Sequence, residues 1–137
     1  MAGLVERTLV LVEPVVRAIV AAVLADQMGR DDVQGIPYVD ESAEVVLRKL
    51  SQMPVFLGSG MKGVTLAFDA SSVATHGRRF RALTLPEQKR QLRQWRGAKV
   101  GILKDFVSFY EKMGVFAYYN FVEEAKGLHH GAGLEAK

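Results

Sequence analysis

Cysteine is absent from this chain of 137 residues, so disulfide bonds and thiolate metal sites are excluded. Long uncharged apolar runs are also missing from the N-terminal region. The longest there, residues 18–25, falls far short of the roughly 20 residues that a bilayer span needs. That region also lacks the basic segment followed by an apolar one that a secretory signal requires. The sequence therefore predicts a cytoplasmic protein, or one that is exported together with a partner carrying the signal.

Acidic residues are scarce in one part of the chain. Residues 78–104 contain nine Lys or Arg and a single acid, Glu87, so this block has a net charge of +8, whereas the whole chain carries +3. A dense basic block attracts anionic partners. Because the block offers no obvious set of base-reading side chains, we expect a solvated or protein-facing basic surface and no nucleic-acid partner.

Apolar residues recur with a helical period through most of the sequence, and no convincing strand is present. Thr84 and Glu87 have the spacing of a capping box, with Pro86 in the first turn, which predicts a helix over about 85–96. Gly97 favours a break after it, because glycine costs about 1 kcal/mol in a helix interior. A long amphipathic helix over about 98–126 is predicted next.

Three more helices are predicted upstream. Pro14 lies within an apolar stripe, and a proline inside a helix costs about 3 kcal/mol. The first helix therefore either begins near Pro14 or kinks there, and we expect it to begin there and to end at Met28. A second helix is expected to start on a cap at Asp40 or Ser42. The third is predicted at about 54–75, and a polar hinge at 69–83 overlaps its end.

The fold class predicted from these helices is all-α, a single-domain bundle of about five helices with a long last helix. The domain is expected to cover residues 1–126, and residues 127–137 are expected to form a flexible C-terminal tail. The composition agrees, since 49% of the residues are hydrophobic and 24% are charged, as in ordinary globular domains.

Gly58, Gly60 and Gly63 match the GxGxxG spacing of dinucleotide-binding loops. That fingerprint also needs a preceding strand and a complete βαβ unit, and the sequence has neither. The three glycines are therefore interpreted as small residues that let two helices approach closely.

Motifs for metal binding and catalysis are weak throughout the sequence. His129 and His130 are adjacent, so they do not share a helix face, and no third ligand type lies near them. No serine is placed beside a base in the manner of a nucleophile elbow. We therefore expect no catalytic residue, no metal site and no cofactor bound by this chain.

The last predicted helix carries more aromatic residues than one buried stripe can hold. Tyr118 and Tyr119 are neighbours that point about 100° apart on a helix, so at least one of them is expected to leave the core. Aromatic residues and arginine are the types enriched at interface hot spots. A surface that binds another protein is therefore one interpretation, and an ordinary core with one surface tyrosine is the other.

Residues 79–119 resemble a helical segment of a known enzyme group. The matching residues are Arg79-Phe80, Leu83, Pro86-Glu87, Leu92, Trp95 and Ala117-Tyr118-Tyr119. They are similar to the segment that precedes the FAD-binding domain in long-chain fatty alcohol oxidases of the glucose-methanol-choline flavoenzyme group. A similar segment is typical of the small, third-subunit family of gluconate dehydrogenase.

The resemblance implies a non-catalytic small accessory subunit that binds and stabilises a separate FAD-bearing large subunit, a dehydrogenase acting on alcohols, sugars or sterols. The FAD and the hydride chemistry would belong to that partner. The partner-binding residues expected on this basis are Arg93, Trp95, Arg96, Tyr110, Tyr118 and Tyr119. The alternative is a free-standing helical module that binds an apolar ligand or, peripherally, a membrane surface. A homo-oligomer is compatible with both.

Overall fold

The computed structural model describes the backbone of residues 2–135 and the side chains of residues 11–54 and 60–127. Over this part of the chain it contains five α-helices, one short 3-10 helix and no strand, which confirms the predicted all-α bundle with a long last helix. None of the described helices is both long and apolar enough to cross a membrane. The helices are α1 Ala2–Met28, α2 Val39–Gln52, α3 Val55–His76, the 3-10 helix Phe80–Ala82, α4 Leu85–Arg96 and α5 Gly101–Glu135.

Helix α1 is the centre of the bundle, since it packs against each of the other four α-helices. Its valines and isoleucine at 12, 16, 19, 20 and 23 are fully buried. Gln27, near the end of α1, forms a hydrogen bond with Glu111 of α5. Val20, which comes earlier in α1, packs against Gly114, which comes later in α5. The two helices therefore run antiparallel. This pair of long helices sets the length of the bundle.

The expectation that the first helix begins near Pro14 is wrong, because α1 continues through this proline from Ala2. Pro14 lies on the exposed side of the helix. Proline has no N–H, so the carbonyl four residues earlier lacks its helical donor, and on the exposed side of a helix water can supply one. Val12 and Val15, which are buried on either side of Pro14, hold the helix on the core.

The start of α2 also differs from the prediction. The helix begins at Val39 after Tyr38, whose φ of 61° is left-handed, and neither Asp40 nor Ser42 is the cap. The ring of Tyr38 stacks on Phe121 of α5 with centroids 5.8 Å apart. A tertiary contact thus accompanies a backbone conformation that a tyrosine rarely adopts.

Helix α3 includes the GxGxxG spacing and ends at His76, with Gly77 in a left-handed conformation at φ 74°. Residues 69–76, which were expected in a polar hinge, are therefore helical. A Cβ atom added at Gly60 or Gly63 would meet nothing within 4 Å, so the expected close approach of a second helix at these glycines is wrong. With this spacing inside a helix, no phosphate-binding loop forms there.

Helix α4 has the predicted bounds, and its capping box is confirmed. Glu87 Oε1 accepts hydrogen bonds from the hydroxyl of Thr84 at 2.8 Å and from its backbone N–H at 3.1 Å. These bonds lower the pKa of the Glu87 carboxyl. The predicted break at Gly97 is also present, because α4 ends at Arg96.

Helix α5 begins at Gly101 and its backbone continues to Glu135, past the predicted end near residue 126. The side chains of residues 128–137, including His129 and His130, lie outside the described residues. The flexibility of the segment 127–137 stays a prediction.

Candidate docking surface

The six residues predicted to bind a partner fall into three pairs in the structure. Trp95 and Tyr110 both contact Phe106 in the core, with ring centroids 5.4 and 5.0 Å from it. Arg93 and Arg96 both bind Asp26. Tyr118 and Tyr119 contact each other on α5, with centroids 5.7 Å apart.

The first pair holds the bundle together. Tyr110 is 0% exposed, and its hydroxyl lies 2.7 Å from Thr65 Oγ1 of α3. Burial raises the pKa of Tyr110, and the hydrogen bond with Thr65 offsets part of this effect. Trp95 is partly buried and meets Phe68 edge to face, with centroids 4.6 Å apart. Tyr110 therefore lies inside the core and is not accessible to a partner of the folded protein.

The second pair belongs to an ion-pair network that joins three helices. Asp26 of α1, whose side chain is 11% exposed, accepts hydrogen bonds from Arg93 at 3.2 Å and from Arg96 at 3.1 Å. Arg96 Nε also donates to Glu111 of α5 at 3.0 Å. Gln27 donates to the other oxygen of that carboxylate at 3.1 Å. The two arginines are thus held in place on the surface of α4.

Burial disfavours the charge of Arg96, but hydrogen bonds and attraction from Glu111 and Asp26 outweigh this effect, so the pKa of Arg96 is raised. Sequence reasoning missed Asp26 and Glu111. They lie far from Arg93 and Arg96 along the chain, and no local pattern marks them as partners.

Two buried glutamines fix the inner side of α4. Gln91 Nε2 donates to the carbonyl of Phe68 at 2.9 Å, and its Oε1 accepts from the hydroxyl of Ser72. Gln88 Nε2 donates to the carbonyl of Phe80 at 2.9 Å. Buried amides with satisfied bonds define one orientation of a helix. The outer side of α4 is therefore presented at a fixed angle.

We call that outer side the α4 ridge; it consists of Lys89, Arg90, Arg93 and Arg96. Lys89 donates to the backbone carbonyl of Arg30, whereas Arg90 is exposed and forms no ion pair with a described residue. A shallow polar depression of about 290 Å³ lies along the ridge and is bordered by Asp31 and Pro86.

The two tyrosines of the third pair, Tyr118 and Tyr119, differ in their exposure to solvent. Tyr118 is half-buried against the core, whereas Tyr119 is 59% exposed, which confirms that at least one of the two tyrosines leaves the core. Phe116 is 60% exposed on the same face of α5. These two rings line an open trough of about 620 Å³ whose other side includes Gln27 and Glu111. The trough therefore adjoins the Asp26 network.

An apolar groove lies elsewhere, between the first half of α3 and the start of α5. It has a volume of about 360 Å³, and its apolar lining comes from Met53, Met61, Val64, Ile102 and Phe106. Methionine side chains adapt to ligands of different shape. The groove is thus a candidate site for a small apolar molecule.

No three His, Asp or Glu residues among the described side chains lie close enough to hold a metal ion. The buried carboxylate of Asp69 accepts from the backbone N–H of Arg81 at 3.2 Å and pairs with its guanidinium, so it ties the 3-10 helix to α3.

No protein-family model matches the chain, and no curated protein or solved structure is significantly similar to it. The similarity of residues 79–119 to the flavoenzyme-associated segment thus stays a prediction that is carried by those residues themselves.

Proposed function

We propose that the chain is a non-catalytic small accessory subunit that binds and stabilises a separate FAD-dependent dehydrogenase acting on alcohols, sugars or sterols. The flavin and the reacting groups belong to the partner. The observation that carries the proposal is the α4 ridge, a row of basic side chains held outward on a rigid helix.

Preorganisation supports a docking role for the ridge. Asp26 fixes Arg93 and Arg96, and Trp95 anchors the same helix in the aromatic core through Phe68. Side chains that are already ordered lose less conformational entropy when a partner binds. Arginine is also the basic residue type that is most enriched at interface hot spots.

Charge supports an acidic face as the complement of the ridge. The segment 78–104 carries nine basic residues and one acid. Arg78, Arg79, Arg90 and Lys99 are exposed and form no ion pair within the described part of the chain. Such a concentration of positive charge steers an anionic surface toward the ridge before contact.

The test is affinity capture with the tagged full chain from an extract of its native host, followed by an absorption spectrum of the eluate. We expect a stoichiometric complex that contains a large subunit with bound flavin. The double variant Arg90→Glu/Arg93→Glu should weaken the complex at least about tenfold, because it sets like charges against an acidic face.

A matched control is the variant Arg48→Glu/Lys49→Glu, which makes the same charge change on the exposed side of α2. It should bind as the wild type does. An eluate without flavin contradicts the proposed function. Equal loss in the ridge variant and the α2 variant contradicts the ridge as its docking surface.

The apolar groove favours a second candidate, the free-standing module that binds an apolar ligand. Gly60 borders the groove, and a Cβ added there meets nothing within 4 Å. Gly60→Leu should therefore fill the groove without disturbing the helix. Gly63→Leu is the matched control, because Gly63 is equally open but does not line the groove.

The probe for this candidate is a fluorescent long-chain fatty acid, titrated against all three proteins. Binding to the wild type and to Gly63→Leu, with loss in Gly60→Leu, would support the ligand-binding module. Equal binding by all three proteins would place the probe elsewhere and contradict the groove as the site.

A further inference from the structure

The solvent-facing side of α5 carries a narrow stripe made of Lys112, Phe116, Tyr119 and Glu123, which we call the α5 stripe. Steps of four, three and four residues separate its members, so all four point within about 60° of one direction. This is the spacing of a coiled-coil seam. The stripe has no helix of this chain over it within the described residues, since all four side chains are exposed.

The order of residues along the stripe is self-complementary when two copies run antiparallel. A two-fold axis between residues 117 and 118 sets Phe116 of one copy opposite Tyr119 of the other. The same axis sets Lys112 opposite Glu123, and each pair then occurs twice. Neither Lys112 nor Glu123 forms an ion pair with another described residue, so both charges are available for a partner.

We propose that the α5 stripe is a homodimer interface in which two copies of this chain pack α5 against α5 in antiparallel orientation. The dimer buries four aromatic rings that are 59 to 60% exposed in the single chain. Burial of such rings is the largest apolar contribution that this face offers, and aromatic pairs add to it.

Charge favours this occupant and this direction. A parallel dimer would place Lys112 against Lys112 and Glu123 against Glu123, which is repulsive. The antiparallel arrangement replaces both repulsions by opposite-charge pairs at the ends of the aromatic contact. The open trough of about 620 Å³ beside Val115 and Asn120 gives room for the partner's rings.

The interface is distinct from the dehydrogenase-binding role proposed above. The α5 stripe and the α4 ridge share no residue, so dimerisation and binding to a flavoprotein can be abolished separately. An isologous contact of this kind also closes on itself, which leads to a dimer and not to a fibre.

The experiment is sedimentation equilibrium of the full chain over a wide concentration range, with charge reversals at the ends of the stripe. Lys112→Glu alone and Glu123→Lys alone should each weaken the dimer at least about tenfold, because each sets two like-charge pairs across the interface. An equimolar mixture of the two variants should form a heterodimer, because every acid at position 112 or 123 then faces a lysine.

Lys104→Glu is the matched control, since it makes the same charge change on an exposed position of α5 outside the stripe. Its dimer should be unchanged. A wild type that stays monomeric overturns the proposal, and so does a dimer that tolerates both stripe reversals. A dimer that each reversal weakens, but that the mixture does not restore, contradicts the antiparallel register.

Spin labels provide an independent readout of direction. Because the chain has no cysteine, a single cysteine introduced at Asn120 or at Lys126 is the sole labelling site. At a rise of 1.5 Å per residue, the antiparallel register predicts axial offsets of about 8 Å between labels at 120 and about 26 Å between labels at 126. Equal distances at both sites would indicate a parallel dimer and overturn the proposal.

Discussion

The hydroxyl of Tyr110 on α5 lies 2.7 Å from that of Thr65 on α3, inside the core, and this hydrogen bond links the two helices. Thr65 also donates to the carbonyl of Met61 at 2.8 Å within α3. Tyr110 must therefore donate its proton to Thr65, since the threonine hydrogen is already used. Tyr110 is thus the donor and Thr65 the acceptor, so substitutions at the two positions should differ in their effect on stability.

We expect Thr65→Val to destabilise the protein more than Tyr110→Phe does. Tyr110→Phe removes a donor and leaves Thr65 bonded to Met61, which should lower the free energy of unfolding by about 1 kcal/mol. Thr65→Val leaves the tyrosine hydroxyl buried without a partner and should cost about 1–3 kcal/mol. Urea unfolding of both variants measures the order, and the reverse order would contradict the assigned donor.

Alkaline pH should destabilise the wild type through the same tyrosine. The pKa of Tyr110 is raised in the folded state, so the folded state keeps a proton that the unfolded state loses above pH about 10. The free energy of unfolding contributed by this group is complete below pH 10 and falls by about 1.4 kcal/mol per pH unit above it. The free energy of unfolding of Tyr110→Phe should fall less steeply with pH than that of the wild type. Urea unfolding from about pH 8 to about pH 11, a range that brackets the reference pKa of tyrosine, measures both slopes. Equal slopes for the wild type and Tyr110→Phe would contradict Tyr110 as the cause of the decline.

Asp26→Asn should loosen the attachment of α4 to α1. The substitution keeps the shape of the side chain but removes the charge that holds Arg93 and Arg96. We expect a loss of about 1 kcal/mol of unfolding free energy, together with a weaker dependence of stability on salt. Asp105→Asn is the control, because Asp105 is exposed and pairs with no described residue. Similar losses in the two variants would contradict a specific role for Asp26.

Gln91→Leu should be among the most damaging changes on α4. It removes the donor to the carbonyl of Phe68 and the acceptor of Ser72, both in buried positions. Leaving such groups without partners costs about 2–3 kcal/mol. Gln94→Leu makes the same change on the exposed side of the helix and should stay within about 0.5 kcal/mol of the wild type. The fluorescence of Trp95, the single tryptophan, follows both unfolding transitions.

Ser42→Ala should stabilise the protein. The hydroxyl of Ser42 is buried on α2 and has no hydrogen-bond partner among the described residues. A buried polar group without a partner costs about 1–3 kcal/mol, so its removal should raise the free energy of unfolding by about 1 kcal/mol. Ser51→Ala, at an exposed position of α2, should have almost no effect. A lower midpoint of thermal unfolding for Ser42→Ala than for the wild type would contradict this prediction.

Features that depend on neighbouring residues could be predicted from the sequence. The capping box of Thr84 and Glu87 and the end of α3 at Gly77 both involve atoms within a few positions of one another. Their geometry is decided by the local backbone, so the residue pattern is sufficient. The helical period likewise determines the all-α class, because it indicates which side of each segment is apolar.

Features that depend on distant segments were decided by the tertiary structure. Pro14 remains inside a helix because buried valines on both sides hold α1 on the core. Arg93 and Arg96 have partners on α1 and α5, and Tyr110 is buried while Tyr119 on the same helix is exposed. No local rule contains these distances. The sequence by itself determined the all-α class, the bounds of α4 and where the positive charge is concentrated. Only the packing of those helices decided which arginines are held by carboxylates and which aromatic rings face water, because burial depends on what covers each side chain.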